Sequence, residues 1–289
     1  MSAAQCDALG VDRSRRGRLV AAGIWARVVV GVLDVAPVDR LHPEERRRRA
    51  AFTGLLAYGP HAVAVGSAAL VLHGVAGLPV AVVPQVALPG APHVRGRGGV
   101  RVRRFGIDGI AAVGGGRAVP LVHALAQAVP ELPRDHAVAV LDDVLRRGLL
   151  DADGLDRARG LAVGRRGAAR ARRWWDLVDA RAESPLETFA RLQCVDDGVP
   201  PDVLQVAVRG PGGAFVARCD MGWRTTDGRW LIGEIDGREF HDVAAALLHD
   251  RRRQNAISAL GHTVLRFTSA DVGARTVPRT VRAALTRPR

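Results

Sequence analysis

Three β-type runs and two tight turns in the last third of the chain constrain its fold most. The runs are DVLQVAVRG, AFVARCDMGWR and RWLIGEIDG, and the turn sequences GPGG and TTDG separate them. Turns this short join antiparallel neighbours, so the runs predict a three-stranded meander. A helix precedes the meander, and a second helix, the strand HTVLRFT and a last helix follow it. This order predicts an α/β domain with a mixed sheet over residues 183–289.

Acidic residues interrupt the third run and cluster around it. Glu234 and Asp236 stand two apart, so on a strand both side chains project to one face. The TTDG turn would bring Asp220 of the preceding strand close to Glu234, and Glu187 can join them from the first turn of the preceding helix. Carboxylates this close repel one another unless a divalent cation neutralises them, and hard oxygen ligands suit Mg²⁺ or Mn²⁺. A structural alternative stays open, in which Asp236 only forms a turn and Glu234 lies on an exposed strand face.

The start of the helix before the meander has a specific capping pattern. Ser184 suits the N-cap position, Pro185 suits the first helical position, and Glu187 falls three residues after the serine. This spacing predicts a capping box, in which the serine and glutamate side chains each bond to the other residue's backbone N–H.

Arginine provides all the basic side chains of this chain. Its 42 lysine-plus-arginine residues are all arginine. Residues 1–182 hold 27 arginines and 16 acidic residues, whereas residues 183–289 hold 15 and 13. The imbalance predicts a polyanion-binding module ahead of a separate site, and the alternative is a generally basic protein encoded by GC-rich DNA. Chemistry that usually needs lysine must use another residue here.

The amino-terminal region has the outline of a DNA-binding module. Residues 5–35 are predicted to form a short helix, a turn, a second helix and a hairpin around Gly31. This is the outline of a winged helix-turn-helix, which we assign to residues 1–58, before a small α+β region and basic connector at 59–182. The arginines predicted to meet phosphates are Arg13, Arg15, Arg16, Arg18 and Arg27.

Two further patterns bear on location and on DNA contact. No apolar run reaches the ~18 residues of a membrane span, no signal-peptide pattern is seen, and three cysteines are scattered singly. We therefore expect a cytoplasmic protein without a membrane partner. Arg46 to Arg49 form either a DNA-facing stripe or a solvated helix face.

The carboxy-terminal pieces resemble a known nuclease family. SPLETFARLQCVDDG, ARCDMGW, WLIGEIDGREFH and HDRRRQNAISALGHTVLRFT occur in the order seen in the very-short-patch-repair-like endonuclease domain of the PD-(D/E)XK superfamily. The resemblance covers about residues 183–286 and implies a restriction-endonuclease-like fold. It makes Asp220 the first acid of the motif, Glu234 the second and Glu187 an added metal ligand. Asp236 takes the place where the superfamily usually has lysine, as an additional metal ligand.

This departure leaves open which residue supplies the basic, water-orienting group. His241 or Arg253 on the following helix can do so, and Asp250 can hold either one. The resemblance implies a Mg²⁺- or Mn²⁺-dependent endodeoxyribonuclease. The alternative is a non-catalytic DNA-binding regulator with a degenerate nuclease domain, and a third reading is a structural or partner-binding protein.

A second resemblance concerns the first third of the chain. ALGV, GRLVAAGIWARVVVGVLDVAP and GPHAVAVGSAALVLHGVAGLP are similar to the winged-helix and following region of AbiE-type antitoxins from type IV toxin–antitoxin systems. The resemblance implies DNA binding and a toxin partner.

Overall fold

The computed structural model describes residues 1–37, 42–91, 93–96, 98–236 and 244–286, and for 244–250 it describes the backbone alone. The chain forms two compact units, one of Met1–Ala137 with Leu150–Asp176 and one of Val138–Leu149 with Leu177–Arg289. Each unit contains helices and a sheet, so the predicted α/β class is confirmed. The finer division at residues 58 and 182 stays a prediction.

The first unit begins with the two helices and the hairpin expected for residues 5–35. They are α1 (Ala3–Ala8), α2 (Arg13–Ala21), β1 (Ala26–Val29) and β2 (Val32–Asp34). Ser2 caps α1 and Asp12 caps α2, because each side chain accepts a hydrogen bond from a backbone N–H of the first helical turn. Gly31 has a φ of 83°, the left-handed conformation that favours glycine in the hairpin turn.

The rest of the first unit packs helices against a five-stranded sheet. The strands are β3 (Val63–Ala64), β4 (Gln85–Ala87), β5 (Arg101–Val102), β6 (Ala111–Val113) and β7 (Gly116–Ala118), in the order β5-β4-β3-β7-β6. The helices are α3 (Pro43–Tyr58), α4 (Gly66–Leu72), α5 (Leu121–Ala128), α6 (Arg134–Arg146), α7 (Ala152–Ala162) and α8 (Ala168–Ala171). From Val138 onward α6 belongs to the second unit.

The second unit is a four-stranded mixed sheet with helices. Its elements are α9 (Pro185–Asp196), β8 (Val203–Arg209), β9 (Phe215–Arg224), β10 (Trp230–Asp236), α10 (Ala244–Ala259), β11 (Thr263–Thr268), α11 (Ser269–Gly273) and α12 (Val277–Thr286). Strands β8, β9 and β10 form the predicted antiparallel meander, and β11 returns after α10 to run parallel to β10. Across the described residues of both units, no helix is long and apolar enough to cross a membrane.

Apolar side chains cover both faces of this sheet. On one face Met221 and Leu231 belong to a buried cluster that includes residues of α9, α11 and α12. On the other face Cys219 and Ile232 pack with Ile257 of α10. The strands of the meander are therefore held from both sides, so a polar side chain between the two clusters has little freedom to move.

A buried ion pair joins α6 to α9 inside the second unit. Arg191 Nη2 lies 3.0 Å from Asp142 Oδ2, and the two side chains are 9% and 2% exposed. Thr188 Oγ1 donates to the same oxygen at 2.8 Å, and the Asp179 N–H donates to Asp142 Oδ1 at 2.8 Å. Burial raises the pKa of Asp142 to about 6, although the Arg191 charge acts to lower it. The buried carboxylate therefore depends on its arginine.

Replacing this arginine should destabilise the protein strongly. Arg191→Ala leaves the Asp142 carboxylate buried without its cation, and such changes cost about 3–5 kcal/mol of the free energy of unfolding. Arg181→Ala is the matched control, because Arg181 forms an exposed pair with Asp179 and exposed pairs contribute about 0–1 kcal/mol. Urea unfolding of both variants at neutral pH measures the difference. Equal effects of the two substitutions would contradict the dependence of the buried Asp142 carboxylate on Arg191.

Candidate active site

Three carboxylates of the second unit share one electrostatic neighbourhood. Glu187 lies in the first turn of α9, Asp220 lies in β9, and Glu234 lies in β10. Glu187 and Glu234 are buried, and Asp220 is half-buried. The charges of Glu187 and Glu234 both act to raise the pKa of Asp220. The meander and the preceding helix thus bring three of the four predicted acids within electrostatic reach of one another.

Asp220 occupies an irregular point of the sheet. Its Oδ2 accepts a hydrogen bond of 2.8 Å from the Ile235 N–H, so its side chain takes a backbone donor of the neighbouring strand. Burial is the largest cause that raises the pKa of Asp220 to about 6; the bond from Ile235 and the Arg253 charge act to lower it. The net rise means that the arginine does not offset burial and the neighbouring acids. Asp220 is therefore the least compensated member of the group.

Two arginines hold Glu234 in place. Arg253 Nη2 of α10 donates to Glu234 Oε1 at 2.6 Å, and Arg266 Nη2 of β11 lies 3.5 Å from Oε2. Arg266 is the register partner of Glu234 in the parallel strand pair, which places its guanidinium beside this carboxylate. Arg253 also donates to the Arg218 carbonyl oxygen at 3.2 Å. The predicted basic residue Arg253 therefore lies directly beside the second predicted acid.

Cys219 contacts the same carboxylate from within the core. Its thiol hydrogen bonds to Glu234, and burial, followed by the negative charge of Glu234, raises the pKa of Cys219 to about 12. A thiol with this pKa stays protonated at neutral pH, so it acts here as a hydrogen-bond donor.

Glu187 is fixed by the beginning of α9, although the predicted capping box forms only in part. The Ser184 hydroxyl accepts from the Glu187 N–H at 3.2 Å, as the spacing predicts. The Glu187 side chain does not accept from the Ser184 backbone N–H, as a full capping box requires. Its Oε2 accepts from the Glu183 N–H at 2.8 Å, and the carboxylate also has a side-chain hydrogen bond with Ser184. Gln205 Nε2 donates to the same oxygen at 3.2 Å. Burial is the main reason that the pKa of Glu187 is raised.

The contacts described above do not include two of the predicted site residues, Asp236 and His241. Asp236 is the last residue of β10 and is half-buried, two residues beyond Glu234. His241 lies outside the described residues. Two contacts were not foreseen from the sequence: those of Gln205 with Glu187 and of Arg266 with Glu234. Arg266 could be found only from the register of two strands that are distant in sequence, and no sequence signal marks Gln205.

The carboxylates of Glu187, Asp220 and Glu234 are ligands of the type that binds a hard divalent cation, but their present positions do not form a complete metal site. Within the described residues, no three side chains among histidine, cysteine, aspartate and glutamate lie close enough to hold a metal ion. The donor set is nevertheless made of carboxylate oxygens, which Mg²⁺ and Mn²⁺ prefer. The mutual repulsion at Asp220 is also what a cation would relieve. Glu234 would have to exchange an arginine contact for the ion.

The predicted DNA-binding arginines fall into two groups. Arg13, Arg15 and Arg18 are exposed on α2, and Arg27 is exposed on β1. Arg16 differs, because it forms an ion pair with Asp7 and donates to the backbone carbonyls of Val11 and Ala3. Its side chain is only 14% exposed. Arg16 therefore ties α1 to α2, and its placement does not support the predicted phosphate contact.

The arginine run at the start of α3 is also largely engaged within its own unit. Arg47 donates to the Leu78 carbonyl, Arg48 donates to the Gly114 carbonyl, and Arg49 pairs with acidic side chains. These contacts favour a structural role for the run over a DNA-facing stripe.

Comparison with known proteins finds relatives without an assigned role. Over 142 residues the chain is 35% identical to uncharacterized proteins of two Mycobacterium tuberculosis strains, CDC 1551 / Oshkosh and ATCC 25618 / H37Rv. The match covers 49% of this chain, which spans about half the length (51%) of the curated relatives it matches. No family model and no solved structure matches.

The raised pKa of Asp220 predicts a pH-dependent stability. The folded state binds this proton more tightly than the unfolded state does, so the stabilising effect is present below about pH 4 and is lost as pH rises through about 6. Asp220→Asn keeps an oxygen acceptor for Ile235 and should reduce that loss by on the order of 1–2 kcal/mol. Urea unfolding in a chelator from about pH 4 to pH 8 measures it.

Asp236→Asn is the control for this experiment, because it removes one negative charge two residues from Glu234 at the end of the same strand. The wild-type protein and this control should lose stability across that pH range in the same way. A profile of Asp220→Asn that matches the wild-type profile would contradict the raised pKa of Asp220.

Proposed function

We propose that the second unit is a metal-dependent endonuclease-like domain that hydrolyses phosphodiester bonds in DNA. The observation that carries the proposal is the group of Glu187, Asp220 and Glu234. The charges of the two glutamates both act on Asp220, and the pKa of Asp220 is raised although Arg253 acts to lower it. Two arginines stand beside this group. Carboxylates for a cation, together with guanidinium groups for phosphate, are the parts that phosphodiester hydrolysis needs.

The roles of the chain's own residues follow from their positions. Asp220 and Glu187 would hold a divalent cation, with Glu234 as a further ligand. A bound Mg²⁺ or Mn²⁺ polarises a phosphate and lowers the pKa of an attacking water. Arg253, anchored on the Arg218 carbonyl, would turn from Glu234 towards the phosphate and stabilise its negative charge. It is the described candidate for the work of the absent lysine, and His241 stays the second candidate.

A non-catalytic regulator is the second candidate function, and one observation favours it. Both carboxylate oxygens of Glu234 already have arginine partners, at 2.6 and 3.5 Å. A carboxylate neutralised in this way has less need of a cation. In this candidate, the first unit binds DNA and a toxin partner, and the acidic group serves the stability of the sheet.

Plasmid cleavage separates the two candidates. We expect nicking or linearisation of supercoiled plasmid that requires Mg²⁺ or Mn²⁺ and stops in EDTA. Asp220→Ala and Glu234→Ala should each lower the rate by more than about 100-fold, because each removes a ligand carboxylate. Asp227→Ala is the matched control, since Asp227 lies in the turn between β9 and β10 and should leave the rate unchanged.

The same assay tests the basic residue. His241→Ala and Arg253→Ala are compared, and the substitution that removes the water-orienting group should lower the rate by about 10²–10⁴-fold with metal binding retained. A wild-type protein that binds DNA and metal but cleaves DNA with neither Mg²⁺ nor Mn²⁺ would support the regulator and contradict the nuclease.

DNA binding by the first unit is proposed from its exposed arginines. Arg15 and Arg18 lie on α2 without burial, and Arg27 lies on the neighbouring hairpin. Exposed cations on a helix and an adjacent wing suit contact with the phosphates of duplex DNA. The surplus of arginine over acidic residues in 1–182 adds a long-range attraction of the same sign.

The salt dependence of DNA binding tests this surface. Replacing Arg15 and Arg18 by alanine should weaken duplex binding and reduce the slope of log affinity against log salt by about 2, which is one per lost phosphate contact. The control replaces Arg209 and Arg279, two exposed arginines of the second unit, and keeps the slope. Fluorescence anisotropy over about 0.05–0.3 M salt gives both values. An equal change in both double variants would mean that α2 does not contact the DNA.

A further inference from the structure

One residue beside the acidic group has an uncommon backbone conformation. Gln205 of β8 has a φ of 55°, in the left-handed region that favours glycine. In the described part of the chain, Arg275 is the one other non-glycine residue with a positive φ. Such conformations are retained where the surrounding structure requires them, and they concentrate at functional sites.

The conformation coincides with a local break in the strand pairing. Leu204 pairs with Met221 and Val206 pairs with Cys219, and the register omits the pair between them, which is Gln205 and Asp220. The sheet is therefore irregular where the least compensated carboxylate lies.

The break also changes the faces of both strands. Leu204 and Val206 are two residues apart and would share a face in a regular strand. They belong instead to different apolar clusters, Leu204 with Met221 and Val206 with Cys219. Strands β8 and β9 thus change the face to which their apolar side chains point. Apolar side chains fill both cores, and Gln205 and Asp220 lie at the change.

The side chain of Gln205 makes use of this geometry. Its Nε2 donates to Glu187 Oε2 at 3.2 Å, and the same oxygen accepts from the Glu183 N–H at 2.8 Å. The Ser184 side chain is a further hydrogen-bond partner of this carboxylate, so three neighbours hold Glu187 at the start of α9. A carboxylate held by several hydrogen bonds keeps a defined orientation towards a further ligand.

We propose that Gln205 is a positioning residue for the candidate cation site. Its left-handed backbone directs the side-chain amide to Glu187 and holds that carboxylate in place beside Asp220. The inference rests on the proposed function, because the cation site is what gives the arrangement its role. The positioning of Glu187 by Gln205 is tested separately. The positive φ of Gln205 lowers the stability of the folded protein, and it is retained because it favours binding of the cation.

The test compares Gln205→Gly with Arg275→Gly in the full-length chain. Each substitution places glycine at a positive φ, so each variant should melt within about 3 °C of the wild type or above it. The rise of Tm with added Mn²⁺ then reports binding to the folded state. Gln205→Gly should need about 10–100-fold more Mn²⁺ for the same rise, whereas Arg275→Gly should respond as the wild type does. A wild-type response in Gln205→Gly would overturn the proposal.

A metal-free readout keeps this inference distinct from the proposed function. If Mn²⁺ raises the Tm of no variant, the wild type included, the proposed cation site fails. Crystal structures of the wild type and Gln205→Gly without metal then decide about Gln205. A Glu187 carboxylate that leaves its position or becomes disordered in the variant supports the positioning role, and an unchanged Glu187 contradicts it.

Discussion

The crowding of two buried carboxylates and one half-buried carboxylate is the constraint on which the second unit depends. Water normally screens such charges, but Glu187 and Glu234 are buried and Asp220 is half-buried. Each acid is accommodated differently. Arginines neutralise Glu234, backbone and amide N–H groups hold Glu187, and Asp220 is left with a raised pKa. The unequal treatment makes Asp220 the point where an added cation would gain most.

The sheet topology creates this arrangement. The antiparallel meander places β9 beside β10, and the return of β11 in parallel sets Arg266 beside Glu234. Helix α10, between those parallel strands, supplies Arg253. The same strands also carry two apolar faces, so the polar group has to lie where β8 and β9 change faces. Core packing and site geometry are therefore two consequences of one irregularity.

Sequence alone predicts the parts of this account that depend on local pattern. Short turns fix the meander, and the TTDG turn places Asp220 near Glu234. The spacing from Ser184 places Glu187 in a helical first turn. The contact of Arg266 requires the register of strands separated by a helix, and the inward role of Arg16 depends on α1, which the charge pattern does not reveal. The left-handed φ of Gln205 has no sequence signal, because glycine is the residue that such a conformation predicts.

The central claim is that the acidic group is a cation site and not a closed set of ion pairs. Anomalous diffraction from crystals of the full-length protein grown with Mn²⁺ tests it most directly. We expect a manganese peak within about 2.0–2.6 Å of oxygens from Asp220 and Glu187, with at least one arginine displaced from Glu234. Crystals at saturating Mn²⁺ without a peak there, and with Arg253 and Arg266 still on Glu234, would contradict it.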